Sequence, residues 1–381
     1  MIKYIKIITI LLISAFVCNS NANAKDTKQL AISYAQLVSH YYKETAIKTK
    51  TMNKAINVFL NEPNENNLTR AKSAWIEARK VYGITEAFRF YGGPIDGTNI
   101  YGEEGPEGLI NSWPLNEAYI DYVRGNQNAG IINNLSYEIT KNTIIASNQS
   151  NDDSDVSTGW HAIEFLLWGQ DLSLKTAGLR PASDYIPENK INERRRKYLL
   201  KVSELLMEHI AWLNNQWKEN GEGRKTFLSS QDPGGAILTG IATLAGFELS
   251  AERIATALDS GDPEDEHSCF SDQTHIDVRA NFNGIKNVYL GLGANGEKFS
   301  PSASTLISNK NPTLHEKIMS TLNKTSNNIN NITVPFDKLL SETKNSPGRI
   351  AAENTVSNLI VLTENIIQAG KELNWNVIIA E

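Results

Sequence analysis

The chain has 381 residues, of which 40% are apolar and 21% charged, with a net charge of −6. That composition excludes overall disorder, and the length points to two domains rather than one core. The acidic balance disfavours nucleic acid as a partner and is compatible with cations.

Lys3 and Lys6 precede an almost unbroken apolar run from Ile7 to Val17, and Ala22-Asn23-Ala24 comes next. A positive start, an apolar run too short to span a bilayer and a small-x-small cleavage signal describe a secretory signal peptide over residues 1–24. The expected location is therefore the periplasm or cell envelope. Cys18 is not expected to carry a lipid anchor, because Val17 and Ala15 do not supply the flanks of a lipoprotein signal. Cleavage leaves 35 basic and 43 acidic residues, a net charge of −8, and Cys269 as the one cysteine. No intramolecular disulfide is then possible, and Cys269 is either buried and inert or close to a site. No later segment reads as a membrane helix, so no transmembrane helix is expected in the mature chain.

Helical periodicity dominates the mature chain. Leu30, Tyr34, Leu37, Tyr41, Thr45, Thr49, Met52, Ile56 and Leu60 mark one face of a long helix that ends near Pro63. A second helix is expected from about Thr69 to Tyr91, stopped by Gly92-Gly93-Pro94. Residues 92–115 read as loop, with helices around 115–124 and 128–146. Thr158 is placed to cap a helix carrying Gly159 to Trp168. Residues 171–188, with Pro181 and Pro187, are the expected domain boundary. Beyond it lies a long helix, with Leu199, Val202, Leu206, His209, Leu213 and Trp217 on one stripe, His209 being read as a core residue. A glycine-rich helix runs from Gly234 to Leu258, and residues 259–273 are acidic and turn-rich. Residues 289–311 read as loop, and helices at 312–331 and 348–374 complete the chain. Strand-like alternation is nowhere sustained. The expected class is all-α: two helical bundles packed together, residues 25–180 and 188–381, with a hint of duplication.

His161 and Glu164, three apart on a helix, share a face. Imidazole with carboxylate suits a divalent or trivalent metal ion, iron or zinc. Gly159 is read as leaving space beside the histidine, and Trp160 as an apolar wall. The spacing alone also fits a structural hydrogen bond, and two ligands do not complete a site. Trp75, Arg79, Tyr82, Glu86 and Arg89 form one stripe of the second helix. Either its charges pair among themselves, or Glu86 faces a site, with Asp96 within reach. The segment Glu264 to His275 adds two histidines, Cys269 and several carboxylates. Asp272 and His275 repeat the three-residue spacing and share a face if a helix starts there. The alternative is a solvated acidic loop in which Ser271 or Asp272 caps the next helix. No His-Glu-x-x-His, P-loop, dinucleotide fingerprint or serine-nucleophile elbow is present.

Gly159-Trp160-His161-Ala162-Ile163-Glu164 resembles the Gly-x-His-x-x-Glu motif of the imelysin family. Three further blocks resemble it in order: Trp75 to Arg79 with Thr85 to Phe90 and Gly93 to Asp96; Gly246 to Arg253; and Glu266 to Asp272 with Thr274-His275, continuing to Gly291. The last two are similar to the iron-regulated protein A branch. The resemblance implies two helical bundles, a cell-envelope location and a site where the bundles meet. It implies a metal role for His161 and Glu164, with Glu86, Asp272 and His275 as candidate further ligands. Gly159, Trp160, Asp96, Arg89 and Cys269 are the candidate lining. The expected function is a periplasmic metal-binding protein of iron acquisition, with envelope iron-uptake components as partners. A zinc-dependent metallopeptidase and a metal-free envelope binding module are the alternatives.

Overall fold

A computed structural model describes residues 2–97 and 105–379, with side chains described from Lys25 onward. The side chains of the expected signal peptide, Cys18 included, lie outside the described residues. The helices that frame the site and the bundles are α1 (Ile2–Asn61), α2 (Glu65–Thr85), α3 (Gly159–Trp168), α4 (Lys190–Trp217) and α5 (Pro233–Thr243). After them come α6 (Thr274–Leu290), α7 (Ala303–Lys310), α8 (Pro312–Asn331), α9 (Phe336–Leu340) and α10 (Pro347–Leu373). Among the described residues the only strand-like pairings are two isolated bridges, Val123 with Asn126 and Leu292 with Lys298.

The expected apolar face of α1 is buried from Leu30 to Leu60. Several helices start where a side chain takes over an orphan backbone donor. Asn64 accepts from the Asn67 N–H at 2.9 Å, and Asp232 accepts from the Gly235 N–H at 2.8 Å ahead of α5. α2 ends earlier than its periodicity predicts, passing into a 3₁₀ turn at Glu86–Phe88. The reason is Phe90, at φ 71, whose N–H donates to Asp96 Oδ2 at 2.6 Å and turns the chain.

Three expectations need correction. The two helices expected between 115 and 146 shrink to Glu117–Ile120, Gly130–Asn133 and Lys141–Ser147. Gly125 and Gly130 both take positive φ there and break the run. The stretch 289–311, expected as loop, contains α7, which starts on a reciprocal Ser302–Thr305 capping box. The helix Pro233–Ser260 is long and apolar enough to cross a membrane by composition, contrary to the sequence reading. Its apolar side chains are instead largely buried inside the protein, as in a core helix.

The helices form two bundles. α2 and α4 pack along α1, with α3 against α2 and α4. In the second bundle α10 packs on α5, on α8 and on the π-helical segment Leu244–Ala255 that continues α5. α4 begins just after the expected boundary, yet it lies with α1 and α3, which precede it. α6 bridges the bundles, touching α2 on one side and the π-helix on the other. Arg180 and Arg195 converge on Asp121 at 2.6 Å each, with all three residues buried.

Candidate functional site

Four segments meet at His161: α2, α3, the loop 266–273 and the start of α6. Gly159 opens α3 at φ +83, and a Cβ there would lie 2.4 Å from the Ile110 carbonyl oxygen. Its role is therefore close backbone approach in a left-handed conformation, not the open space expected beside the histidine. Thr158 does not cap α3 with its side chain. Its hydroxyl donates to the Leu109 carbonyl at 2.9 Å, which ties α3 to the segment carrying Asn111 and Trp113.

His161 and Glu164 are fully buried, and Nδ1 lies 2.9 Å from Glu164 Oε2. The other carboxylate oxygen, Oε1, accepts the backbone N–H and the hydroxyl of Ser271 at 3.0 and 2.6 Å. Burial pushes the Glu164 carboxyl up to about 8, against these hydrogen bonds. Glu164 thus holds the histidine rather than standing beside it as an equal ligand.

A second pair mirrors the first. His267 Nδ1 lies 2.8 Å from Asp277 Oδ2, and the two imidazole ring centroids are 4.8 Å apart. Arg79 joins the pairs. Its Nε and Nη2 donate to Asp277 at 3.0 and 2.9 Å, and its Nη1 donates to Asn111 Oδ1. Its Nη2 approaches His161 Nε2 at 3.4 Å and His267 Nδ1 at 3.1 Å. The guanidinium also lies 5.5 Å from the Tyr82 ring centroid and 5.8 Å from that of Trp160. Ser268 Oγ donates to Asp277 Oδ2 at 2.7 Å.

These contacts constrain the tautomers. A guanidinium only donates, so where Arg79 bonds His161 Nε2 the ring proton sits on Nδ1 and Glu164 is its ionised acceptor, a charge that Ser271 and Arg79 favour against burial. Asp277 is held well below the usual carboxylate range by Arg79 and His267, although burial opposes this. It is ionised and accepts from His267 Nδ1 when that nitrogen carries the ring proton, whereas Arg79 Nη2, 3.1 Å from the same nitrogen, can donate to it only in the other tautomer. Burial drives His161 well below the ordinary histidine value and His267 down to about 4. Both rings are neutral at about pH 7, and the Nδ1–H tautomer puts the lone pair of each on Nε2.

His267, Asn111 and Trp113 also wall a cavity of about 630 Å³. Its remaining lining is strongly charged, including Arg89, Arg253, Asp96, Glu107, Glu248 and Glu252. Arg253 reaches Glu86 at 2.6 Å and Glu248 at 3.2 Å. Arg89 pairs with Glu107 at 2.9 Å, Glu86 at 3.2 Å and Asp96 at 3.3 Å.

The five expected ligands are therefore not brought together. His161 and Glu164 meet. Glu86 is one layer away, and burial alone would raise it, but Arg253 and Arg89 hold it at about 2. The stripe of α2 pairs only in part as expected: Glu86 takes Arg89, while Arg79 turns to Asp277. Asp272 and His275 do not share a helical face, because α6 starts at Thr274 and Asp272 precedes it at φ +58. Asp272 lies instead with Asp171 and Asp337. His275 is half-buried, with no hydrogen-bond partner for Nδ1. Neither Ser271 nor Asp272 caps α6; the N-cap is Gln273. Trp160 lies under the Arg79 guanidinium. Arg89 and Asp96 line the neighbouring cavity. Cys269 is buried, and burial pushes its thiol well above the ordinary value. Asp277 escaped the sequence reading, although it follows Thr274 by three on a helix close to a histidine.

The sequence matches the profile of the imelysin peptidase family over residues 38–366. Iron-regulated protein A of Synechococcus elongatus is 25% identical over 274 residues, which cover 68% of this chain and 63% of that protein. Among solved structures, a protein assigned as an iron-regulated protein A precursor from Parabacteroides distasonis superposes with a TM-score of 0.66 at 20% identity, covering 89% of this chain and 95% of that one. An imelysin-like protein from Psychrobacter arcticum gives a TM-score of 0.67 at 13% identity, covering 93% and 97%. At these identities the two structures establish a shared all-α fold.

Proposed function

The chain belongs to the imelysin family, and we propose that it is a non-catalytic metal-binding protein of the cell envelope that serves iron acquisition. The observation that carries this reading is the pair of carboxylate–histidine couples, His161 with Glu164 and His267 with Asp277. Histidines that bind metals commonly donate the second ring N–H to a carboxylate, which fixes the tautomer and raises the basicity of the free nitrogen. Here both rings are held through Nδ1 and both are neutral, and in the Nδ1–H tautomer both keep the Nε2 lone pair.

Arg79 stands in for a metal cation in this arrangement. Its guanidinium supplies the positive charge that Asp277 requires, and it lies against His161 Nε2. The donor set fits an imidazole-accepting divalent ion such as Fe²⁺ or Zn²⁺. His161 and His267 would hold the ion, with Arg79 drawn back and Asp277 providing compensating charge. The acid-lined cavity beside His267 is the route of entry. The signal-peptide pattern supports a cell-envelope location, and the iron-regulated relative supports a place in iron uptake beside other envelope components.

The test is metal content. Tag-free mature protein, dialysed against Fe²⁺ under anaerobic conditions or against Zn²⁺, is expected to retain about one equivalent. His161→Ala is expected to lose it, and His267→Ala to retain it more weakly, with the helical circular dichroism signal kept in both. Equal metal affinity in wild type and both variants overturns the reading.

A further inference from the structure

The loop 266–273 has a second face. Ser271 and His267 turn to the histidine site, while Asp272 and Glu266 turn away from it. Asp272 meets Asp171, from the segment after α3, and Asp337, from α9. Each aspartate offers one carboxylate oxygen, and these oxygens lie within 4.8 Å of one another. Among the described residues this is the only trio of His, Cys, Asp or Glu side chains with that spacing.

Acidic residues often cluster at surfaces without a ligand, but here Asp171 and Asp272 are half-buried and their neighbours are shut from solvent. Asp337 is 1% exposed and Glu266 0%. Asp337 Oδ2, Asp272 Oδ1, Asp171 Oδ2 and both oxygens of Glu266 are buried without a hydrogen-bond partner. The charges acting on Asp272 are those of Asp337 and Asp171, and the charges acting on Glu266 are those of Asp337, Asp272 and Asp171. Carboxylates therefore face carboxylates in a partly enclosed place. Buried polar atoms nearly always have partners, and like charges at this range cannot all ionise unless something positive lies between them.

We propose that Asp171, Asp272 and Asp337, backed by Glu266, form a binding site for a hard divalent cation of the Ca²⁺ type. An all-oxygen donor set is what such an ion selects. Asp171 also lines a surface cavity of about 500 Å³, which gives the ion a way in. Bound there, the cation would tie the end of α3 and the start of α9 to the loop whose other face holds Glu164. The site is separate from the histidine site and does not depend on its occupancy.

The experiment is calorimetric titration of chelator-treated full-length mature protein with CaCl₂ up to millimolar concentration, with a thermal melt of each sample. About one equivalent is expected to bind, with Tm raised by several degrees. Asp337→Asn and Asp171→Asn should each abolish both effects, whereas His161→Ala should retain them. Both Asn variants relieve like-charge repulsion, so their Tm in EDTA should equal or exceed that of wild type, which establishes that they fold. Absence of heat and of any Tm shift in wild type overturns the proposal, and the cluster then holds protons instead. Ca²⁺ binding that survives in both Asn variants overturns it equally.

Discussion

Ser271 gives both its backbone N–H and its hydroxyl to one oxygen of Glu164, leaving the other oxygen to His161. This fixes the carboxylate from a loop 107 residues further along the chain. Ser271→Ala removes the hydroxyl and leaves a buried carboxylate with one donor fewer. The expected loss of stability is about 1–3 kcal/mol by denaturant unfolding. Metal retention should weaken by about 10–100-fold, as when an outer partner of a metal-binding histidine is lost.

Arg79 is expected to compete with metal. Arg79→Met leaves Asp277 buried and unpaired, so the metal-free variant should lose about 3–5 kcal/mol. Added Zn²⁺ should then raise its Tm by more than it raises that of wild type. A smaller metal-induced shift in the variant would mean that Arg79 supports binding rather than occupying its place.

The carboxylate of Asp121 is the shared partner of Arg180 and Arg195. Asp121→Asn leaves two buried guanidinium groups short of a charge. The expected cost is about 3–5 kcal/mol, with metal content per folded molecule unchanged, since none of the three touches His161. Urea unfolding paired with elemental analysis separates the two effects.

Stability should peak in mildly acidic solution. Burial, first, raises Glu107 to about 7, with Arg89 opposing. Burial and Glu264 raise Glu117 to about 7. The folded state binds these protons more tightly than the unfolded chain, which releases them near 4.5. Their stabilising contribution is complete below that value and lost as pH rises through about 7. Glu86 runs the other way: Arg253 and Arg89 hold it at about 2, so its contribution is present above 4.5 and lost as pH falls toward 2. The Tm in EDTA is expected to be higher near about pH 5 than near about pH 8. Glu107→Gln should flatten that slope, and a wild-type Tm that climbs steadily to about pH 8 contradicts the assignment.

Much of the scaffold was legible because long amphipathic helices write their buried face at intervals of three and four. α1, α4, α8 and α10 keep that periodicity closely. The region 115–146 was not legible, since its glycines at positive φ and its side-chain contacts override local propensity. The same division holds at the site. His161 and Glu164 sit one turn apart, so their contact is local and their spacing reveals it. Arg79 and Asp277 lie 198 residues apart, and no local pattern says that the charge on the α2 stripe is answered from α6. Asp272 illustrates the converse. Its three-residue spacing to His275 suggests a shared face, but the helix starts two residues too late, and the side chain joins Asp171 and Asp337 instead.

The central claim is that two carboxylate-held histidines take up a metal through Nε2. X-ray absorption spectroscopy of the protein loaded with one equivalent of Zn²⁺ tests it most directly. The expected spectrum carries the outer-shell scattering of two imidazoles, falling to one in His267→Ala and lost together with the metal in His161→Ala. A spectrum with oxygen ligands only, unchanged in both variants, would contradict it.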